Sequence, residues 1–440
     1  MSFYNKFLTT FLFPLSEILI KDKMYSEFVK LKKTFSYDEA KLEKIQTKNL
    51  NNILINACQK VPFYKGLNIN LKNNPFIDLK KFPVIDKSTL RDFSDNLISE
   101  EYEKNKLLKH VSSGSSGVQS TVFWTVKQQS QNRAIQMLWW HWAGYFFGKP
   151  VLQTGITPNR GFLKKIKDII LRTKYVSAFT HSNLDIKKNL EWAKDKNAFL
   201  AGYASSIYVF SKFSSENNIK TKFSGSISWG DKLFQHYKDL INSEFQVKIK
   251  ETYASAEGLM IGAQYDLDFM YIMSPFVYVE ILDESGVEVN DGEMGNVVIT
   301  CLNAFAMPLI RYKIGDLAIK LPQNEYPSNR KLGLPLFKKV IGRDTDIIQT
   351  KSGNKMVVHS FTGIFEHYSE IIQFCIIQND LSSILIQVIV ERSFNKIILK
   401  NITEKINNYS LGELEIKFEL VNYIPPTQSG KPQIIISNIK

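Results

Sequence analysis

The chain has 440 residues and a formal net charge of +13, with 44% hydrophobic and 22% charged residues. This length accommodates two or three domains with sizeable cores, and the composition excludes a disordered or fibrous chain. The positive charge is dispersed and favours anionic ligands such as nucleotides, or a loose association with an acidic membrane surface. No basic cluster interleaved with aromatic residues predicts a nucleic-acid partner. The widely separated Cys58, Cys301 and Cys375 form no disulfide or zinc pattern, which predicts a reducing, cytoplasmic location.

The N-terminal segment, MSFYNKFLTTFLFPLSEILIKDKMY, is strongly apolar. Pro14, Ser16 and Glu17 interrupt the apolar run, and no small-residue cleavage site follows it. The segment therefore predicts neither a membrane-spanning helix nor a cleaved signal. The favoured interpretation is a helix packed on the domain, and a helix lying in a membrane interface is the alternative.

Two helices are predicted next. Residues 38–60 place apolar side chains at helical spacing, and Pro62 is expected to end that helix because proline cannot extend it. The segment KFPVIDKSTLRDF (81–93) predicts a turn and a capped helix, with Asp86 or Ser88 as its N-cap.

The segment SSGSSGVQS (112–120) lies between two predicted short strands, LLKHVSS before it and TVFWTV after it. A Walker A loop needs Gly-Lys-Ser/Thr at the start of a helix, so this position excludes one. Glycines let backbone amides converge on a phosphate, and serine hydroxyls add further donors. Taken alone, however, the composition favours a simple flexible turn.

The remaining pattern predicts the fold class and its domains. Helical stretches alternate with short apolar runs over 129–254, which is typical of an α/β domain with buried strands. We therefore predict an α/β N-terminal domain over 1–341, with a β-rich subdomain at about 270–341. A small α+β domain over 346–440 follows a polar, glycine-containing junction at about 342–346.

Five segments, in this order along the chain, resemble the core motifs of the acyl-adenylate-forming ligases: SSGSSGVQS (112–120), ETYASAEG (251–258), IRYKIGD (310–316), GRDTDIIQTKSG (342–353) and TQSGK (427–431). Three more are similar to the phenylacetate–CoA ligase branch and its capsular-polysaccharide relatives: ACQKVPFYKGL (57–67), KFPVIDKSTL (81–90) and SWGDKL (228–233). Each motif alone is common by chance, and their joint order carries the resemblance. It covers the chain from about residue 40 onward and implies a C-terminal domain that rotates about a hinge at Thr345 and Asp346.

The resemblance implies ATP- and Mg²⁺-dependent activation of a carboxylic acid. Joining two anions and expelling pyrophosphate requires phosphate ligands, a metal ion and positive charge near the α-phosphate. The resemblance assigns Mg²⁺ to Glu257, a hard oxygen ligand, and assigns to Lys431 the bridging of carboxylate, ribose and α-phosphate. It assigns the phosphates to a loop of six residues: Ser112, Ser113, Gly114, Ser115, Ser116 and Gly117.

The same resemblance implies a nucleoside site. Tyr253 would stack on adenine, Asp316 would accept the ribose hydroxyls, and Arg343 would contact ribose or phosphate. The complete predicted set is Gly230, Asp231, Tyr253, Ala254, Asp316 and Arg343.

Each of these residues also has a structural interpretation when it is taken alone. Glu257 could be a solvated or capping carboxylate, Asp316 a turn residue and Lys431 an exposed lysine. Arg343 could pair with a neighbouring aspartate, and Tyr253 could belong to the core. Their occurrence together and in order favours the functional set.

Three positions depart from the family pattern. Val118-Gln119 stands where Lys-Pro is common, so a phosphate-binding lysine is absent. Ala256 removes a hydroxyl, and Thr345 replaces a common aspartate. These departures bear on rate and hinge behaviour, while Glu257 and Lys431 are retained.

The acyl pocket is predicted from MLWWHWAGYFF (137–147) and LAGYASSIYVF (200–210), with His141, Tyr203 and Ser255 as candidates. Core packing is an equally good interpretation of the tryptophans and the favoured one for His141. The Cys/His cluster that binds zinc in some relatives is missing, so no zinc is predicted.

We expect coenzyme A to be the acyl acceptor. A separate carrier protein or an amine is the alternative acceptor, and nucleotide binding without ligation is the alternative function. A link to surface polysaccharide follows from the resemblance alone. We expect a monomer or homodimer.

Overall fold

The computed structural model describes residues 3–20, 22–72, 74–111, 121–156, 161–178, 182–255, 257–343, 347–365, 367–368, 370–425 and 433–439. The chain forms two compact units. The first comprises Met1–Ile314 and Ile319–Lys339, and the second comprises Gly315–Ala318 and Val340–Lys440. Thr345 and Asp346 lie outside the described residues, so the hinge at 342–346 stays a prediction.

The N-terminal third of the first unit is helical. A continuous helical segment, α1 and α2 joined by a π-helical turn at Leu8–Leu12, is followed by shorter helices and a 3-10 turn at Lys104–Lys106. The helices are α1 Phe3–Phe7, α2 Phe13–Ile20, α3 Met24–Thr34, α4 Glu39–Lys60, α5 Pro62–Lys65, α6 Pro75–Leu79 and α7 Lys87–Asp92.

Both predicted helices are confirmed. The Asp38 carboxylate accepts a hydrogen bond from Lys41 N at 2.9 Å and starts α4, which ends at Lys60 before proline begins α5. Asp86 caps α7 because its carboxylate accepts from Thr89 N at 3.0 Å. The other candidate, Ser88, only donates to Asp86, at 2.6 Å.

The predicted strands on either side of the Ser/Gly segment are also confirmed. They form an antiparallel hairpin, in which Val111 lies opposite Thr121: β1 Leu108–Val111 and β2 Thr121–Trp124. Residues 112–120 themselves lie outside the described part of the chain.

A parallel layer follows. Its strands run in the order β4-β3-β5-β6-β7, and all five residues of β5 are buried, as expected where helices cover a parallel sheet. One core packs helices against these strands through side chains such as Leu200, Phe210 and Phe245. The elements are α8 Val126–Trp142, β3 Val151–Gly155, α9 Phe162–Ile170, β4 Thr173–Ser177, α10 Asn183–Lys196, β5 Phe199–Tyr203, α11 Ala204–Glu216, β6 Ser226–Trp229, α12 Gln235–Phe245 and β7 Ile249–Ala254.

The sheet then becomes antiparallel, because β8 folds back on β7. Among the described residues the full sheet has eleven strands in the order β10-β11-β12-β13-β9-β8-β7-β6-β5-β3-β4. The further strands are β8 Met260–Gln264, β9 Met270–Ile272, β10 Val277–Leu282, β11 Met294–Cys301, β12 Tyr312–Lys320 and β13 Leu336–Arg343. The β-rich pattern predicted from about residue 270 is confirmed, with a 3-10 turn at Gln323–Glu325 as its helical interruption in the described residues.

The second unit is an α+β fold, which confirms the predicted fold class. Its four-stranded sheet has the order β18-β17-β16-β19, with β17 antiparallel to β16 and the outer strands parallel to their neighbours. The fully buried Gln378 amide exchanges hydrogen bonds with the backbone of Gln349 at 3.0 and 2.7 Å. The elements are β14 Ile347–Gln349, β15 Lys355–Val357, α13 Val358–Phe365, β16 Ile371–Asp380, β17 Ser383–Val390, α14 Ile397–Ser410, β18 Glu415–Leu420 and β19 Ile435–Ser437.

Among the residues that the structure describes, none of the helices combines the length and the apolar character needed to cross a bilayer.

A buried ion pair ties β10 to the chain just before β12. Arg311 contacts the Glu280 carboxylate through two nitrogens, at 3.1 and 3.2 Å, and also donates to the Phe82 carbonyl at 3.0 Å. Both partners are buried, so loss of one charge leaves the other unpaired in a poorly solvated position.

We therefore expect Glu280→Gln to destabilise the first unit by about 3–5 kcal/mol. All six tryptophans lie in this unit, so urea unfolding followed by tryptophan fluorescence reports its stability. Glu284→Gln, at an exposed carboxylate 3.9 Å from Lys313, is the control and should change stability by less than about 0.5 kcal/mol. Equal effects of the two substitutions would contradict this account.

Candidate active site

Three parallel strands bring predicted site residues to one edge of the sheet. In register, Tyr203 of β5 lies opposite Trp229 of β6, and Ser228 lies opposite Glu251 of β7. The carboxyl ends of parallel strands share an edge, and ligands of α/β folds bind there. Five predicted residues occupy or follow these ends: Tyr203, Gly230, Asp231, Tyr253 and Ala254.

A glycine is needed at position 230 because the backbone there passes close to the Tyr203 ring. Gly230 follows β6 with φ of +83°, a conformation that other residues rarely adopt. A Cβ atom at this position would lie 2.4 Å from the Tyr203 ring. The nearly buried Tyr203 is also held through its backbone, because its N–H donates to Thr154 Oγ1 at 3.2 Å.

Asp231 acts as the N-terminal cap of α11. Its two carboxylate oxygens accept hydrogen bonds from Ala204 N at 2.6 Å and from Ser205 N at 3.1 Å. The cap fixes the start of α11 directly beside Tyr203. Burial, with a smaller contribution from the Asp231 charge, raises the pKa of Tyr203, so its phenol keeps its proton at neutral pH.

Tyr253 and Ala254 end β7 in different environments. Tyr253 is largely buried, and its ring meets the Phe337 ring edge-on with centroids 5.9 Å apart. Ala254 is exposed, and an irregularity in the pairing with β8 separates the two residues. Tyr253 therefore packs in the core while lying at the strand end that the sequence predicted for adenine.

Glu257 lies in the turn that joins β7 to β8. The turn closes through Gly258 N, which donates to Ser255 O at 2.9 Å, and Ser255 N, which donates to Leu259 O at 3.1 Å. The Glu257 side chain is only 3% exposed and accepts a hydrogen bond from the buried Tyr312 hydroxyl at 2.9 Å. This carboxylate is therefore buried and held by a hydrogen bond, and it is not a solvated surface charge.

The hairpin that carries the Ser/Gly segment contacts the same turn. Trp124, at the end of β2, packs so closely on Gly258 that a Cβ there would lie 2.0 Å from its ring. Asn132 of α8 donates to Gly258 O at 3.0 Å. The strand that follows the predicted phosphate loop is thus fixed beside Glu257.

The Glu257 carboxylate in this turn is the type of oxygen ligand that a magnesium ion prefers. Mg²⁺ is commonly held by one or two carboxylates together with nucleotide phosphates and water. Glu257 offers one buried carboxylate next to the hairpin whose loop is predicted to bind phosphate. No group of three or more His, Cys, Asp or Glu side chains that could hold a metal by themselves occurs in the described part of the chain.

The acyl-pocket candidates are not gathered at one point. His141 lies edge-on to Phe28, with ring centroids 5.9 Å apart, and its Nδ1 is 3.2 Å from the Tyr145 carbonyl oxygen. Burial lowers the pKa of His141, which favours the neutral ring. Ser255, in the Glu257 turn, has a buried hydroxyl with no hydrogen-bond partner among the described residues. Acyl-pocket roles for these residues stay predictions.

The tryptophans of 137–147 belong largely to the core. Trp139 and Trp140 are buried, and the Trp139 indole N–H points at Met273 Sδ, 3.3 Å away. Trp140 stacks on Trp229, with centroids 5.8 Å apart, beneath the carboxyl end of β6. Both side chains therefore pack in the core, and a role of this segment in the acyl pocket stays a prediction.

Several predicted site and hinge residues lie outside the described part of the chain: Ser112, Ser113, Gly114, Ser115, Ser116, Gly117, Thr345, Asp346 and Lys431. The same holds for Val118 and Ala256, which depart from the family pattern. Asp316 is half-buried on β12 directly after Gly315, whose φ is +80°. Arg343 ends β13. Their roles stay predictions.

The sequence did not identify the residues that hold the Glu257 turn. Tyr312 lies inside the IRYKIGD motif, and Trp124 lies in the strand after the Ser/Gly segment, so both had a local signal. Asn132 had no such signal, because an asparagine on an amphipathic helix is normally a solvent-exposed side chain.

Comparisons with known proteins show which proteins the chain is similar to. Residues 348–438 match the CapK C-terminal domain family. Over 400 residues the chain is 26% identical to Protein CapK of Staphylococcus aureus, covering 86% of this chain and 84% of that protein. A 2-hydroxyisobutyryl-CoA ligase in the postadenylation state with 2-HIB-AMP superposes with a TM-score of 0.72, 16% identity and 92% coverage of each chain.

The chain has the adenylate-forming ligase fold. MatB from Rhodopseudomonas palustris, solved with ATP, shares this fold with a TM-score of 0.55 and 14% identity, covering 76% of this chain and 68% of MatB. The resemblance that the five motifs indicated is confirmed as a shared fold with the adenylate-forming ligases and as a similarity to Protein CapK.

A substitution of Gly230 tests how tightly the backbone after β6 packs against Tyr203 at the end of β5. We expect Gly230→Ala to cost about 1–3 kcal/mol more than Gly286→Ala, because it adds a steric clash to the same backbone strain. Gly286 has φ of +81° and open space around its Cβ position, so it isolates the strain alone. Urea unfolding followed by tryptophan fluorescence measures both, and equal losses would show that Tyr203 moves aside freely.

Proposed function

We propose that this protein activates a carboxylic acid with ATP and Mg²⁺, releases pyrophosphate, and passes the acyl group to a thiol. The observation that carries the proposal is the buried Glu257 turn. Trp124, at the end of the Ser/Gly hairpin, packs against this turn, which follows the carboxyl end of β7 in the parallel layer that also contains β6 and β5. Similar proteins solved with an acyl-AMP and with ATP support the nucleotide assignment.

In the first step a carboxylate oxygen attacks the α-phosphorus of ATP, and the bond to the β-phosphate bridging oxygen breaks. Pyrophosphate carries away the electron pair, and the acid becomes a mixed anhydride with AMP. Residues 112–117 would bind the leaving phosphates, and Lys431 would neutralise charge at the α-phosphate.

Glu257 would hold the metal ion. When bound, Mg²⁺ neutralises phosphate charge and orients the leaving group. Tyr312 positions the carboxylate through its 2.9 Å hydrogen bond and shields it from bulk water. Tyr253 and Gly230 would line the adenine site, and Asp316 and Arg343 would contact ribose.

In the second step the thiol loses its proton to solvent and its sulfur attacks the acyl carbonyl carbon. The bond from that carbon to the phosphate oxygen breaks, and AMP leaves with the electron pair. Coenzyme A is the proposed acceptor, in line with 2-hydroxyisobutyryl-CoA ligase, whose structure has also been solved with coenzyme A. A role in surface polysaccharide synthesis, which the sequence motifs implied, is part of the proposal, and a carrier-protein thiol or an amine would be the competing acceptor.

The deciding experiment measures pyrophosphate release from ATP and Mg²⁺ across aryl, short aliphatic, hydroxy and amino acids. Release that requires one acid class and disappears in Lys431→Ala would establish adenylation. Adding coenzyme A should then produce a thioester. Release from no acid, despite ATP binding, would favour nucleotide binding without ligation, and no ATP binding would overturn the proposal.

We expect Glu257→Gln to lower the rate of acid-dependent pyrophosphate release on the order of a hundredfold, because a neutral amide binds Mg²⁺ weakly. Glu284→Gln, at an exposed carboxylate, serves as the control and should leave the rate unchanged. A Glu257→Gln enzyme with the wild-type rate and Mg²⁺ requirement would remove Glu257 from the metal site.

We expect Tyr312→Phe to raise the Mg²⁺ concentration needed for half-maximal rate by about 3- to 10-fold, since a lost hydrogen bond costs about 1 kcal/mol. Tyr271→Phe is a matched control, because this buried hydroxyl also donates to a carboxylate, Asp266 Oδ1, at 2.9 Å. Both variants should lose stability, but only Tyr312→Phe should shift the Mg²⁺ requirement. Equal shifts would mean that the hydrogen bond is purely structural.

A further inference from the structure

The helix over residues 3–20 presents its apolar side chains outward. Along one side, the large apolar residues recur at intervals of three or four, which places them on a single helical face. Six of them are 44–87% exposed and form what we term the N-terminal apolar face: Phe3, Phe7, Phe11, Leu15, Ile18 and Leu19.

Polar groups of the same helical segment are directed into the protein. Asn5 is 3% exposed and donates to the Phe147 carbonyl at 2.7 Å, and the Tyr4 hydroxyl donates to the Ile170 carbonyl at 2.7 Å. Glu17 accepts from Ser26 N at 2.7 Å. A helix on a water-exposed surface normally has the reverse arrangement, with its apolar stripe toward the core.

Packing fixes this orientation. Leu8 is fully buried, and Phe13 meets Phe147 edge-on with ring centroids 4.9 Å apart. Rotating the helix to bury its outer face would break these contacts and leave Asn5 without its carbonyl partner. The exposure of the N-terminal apolar face is therefore built into the fold.

Helix α9 adds to the same region. It meets the N-terminal helix at Tyr4, through the Ile170 carbonyl and through Arg172, whose guanidinium lies 5.6 Å from the Tyr4 ring centroid. Its own exposed apolar residues share one face: Phe162, Ile166 and Ile169.

Positive charge predominates along α9 and the residues that follow it. Residues 161–174 contain five basic side chains and one acidic side chain. Some of them line a cavity of about 370 Å³, whose charged residues are Asp168, Arg172, Lys174 and Lys196. An exposed apolar face bordered by cations is the pattern of helices that lie in the interface of an anionic membrane.

We propose that the N-terminal apolar face and α9 form a docking surface for an anionic lipid bilayer. The apolar side chains would enter the boundary between head groups and acyl chains, and the basic residues would contact lipid phosphates. A bilayer fits this surface better than a second copy of the chain. Residues 161–174 have five basic side chains and one acidic side chain, so two copies docked through this surface would bring like charges together. This surface is separate from the residues of the proposed ligase reaction.

The test is cosedimentation of the full chain with vesicles of phosphatidylcholine alone or mixed with phosphatidylglycerol, without ATP. We expect binding to the anionic vesicles. The triple variant Phe3→Ser, Phe7→Ser, Phe11→Ser should weaken that binding about tenfold or more. The triple variant Lys164→Gln, Lys165→Gln, Arg172→Gln should weaken it by a similar factor and reduce its salt dependence.

A matched control replaces three exposed apolar residues outside this surface, Ile77→Ser, Leu184→Ser and Val287→Ser, which are 59–61% exposed. It should bind as the wild type does. Midpoints of urea unfolding equal to that of the wild type would show that all variants are folded.

Three results would overturn the proposal: no wild-type binding to anionic vesicles, equal binding by the phenylalanine variant and its control, or a wild-type dimer that this variant converts to a monomer without lipid. The last would assign the face to a contact between copies. Because the assay needs no ATP or acid, its outcome is independent of the ligase reaction.

Discussion

The burial of Glu257 is the constraint on which the rest of the site depends. A carboxylate is costly to remove from water, so the turn that carries it must be held firmly. Tyr312 supplies a hydrogen bond, Trp124 closes over Gly258, and Asn132 holds the backbone. These contacts come from four separate parts of the chain. They draw the Ser/Gly hairpin, α8, the β7–β8 turn and β12 to one point.

The edge of the parallel layer supplies a second fixed feature. Gly230 permits the backbone after β6 to pass against Tyr203, and Asp231 caps the helix that begins at Ala204. These two neighbours therefore set the positions of the β5 and β6 ends relative to one another. A residue that caps a helix at such an edge has a structural task even where it also lies near a ligand.

The proposed chemistry and the N-terminal apolar face use different residues. Among the residues of the proposed site, Gly230 and Tyr253 lie at strand ends and Glu257 lies in a buried turn, where packing restricts side-chain motion. The N-terminal helix instead keeps large apolar side chains in contact with solvent, because Asn5, Tyr4 and Glu17 anchor its other side. Exposed apolar faces of this kind commonly mark interaction surfaces.

The sequence by itself determined the element types, the α/β class and the order of the motifs, because these follow from local periodicity and turn chemistry. It could not decide whether Trp140 lines a pocket or the core, or which side of the N-terminal helix faces water. It also could not show that Asp231 is a helix cap or that Tyr312 holds Glu257. Each of these depends on at least one contact between residues far apart in the sequence, such as the 55 positions that separate Tyr312 from Glu257. Only tertiary packing decides which of several compatible partners a side chain meets.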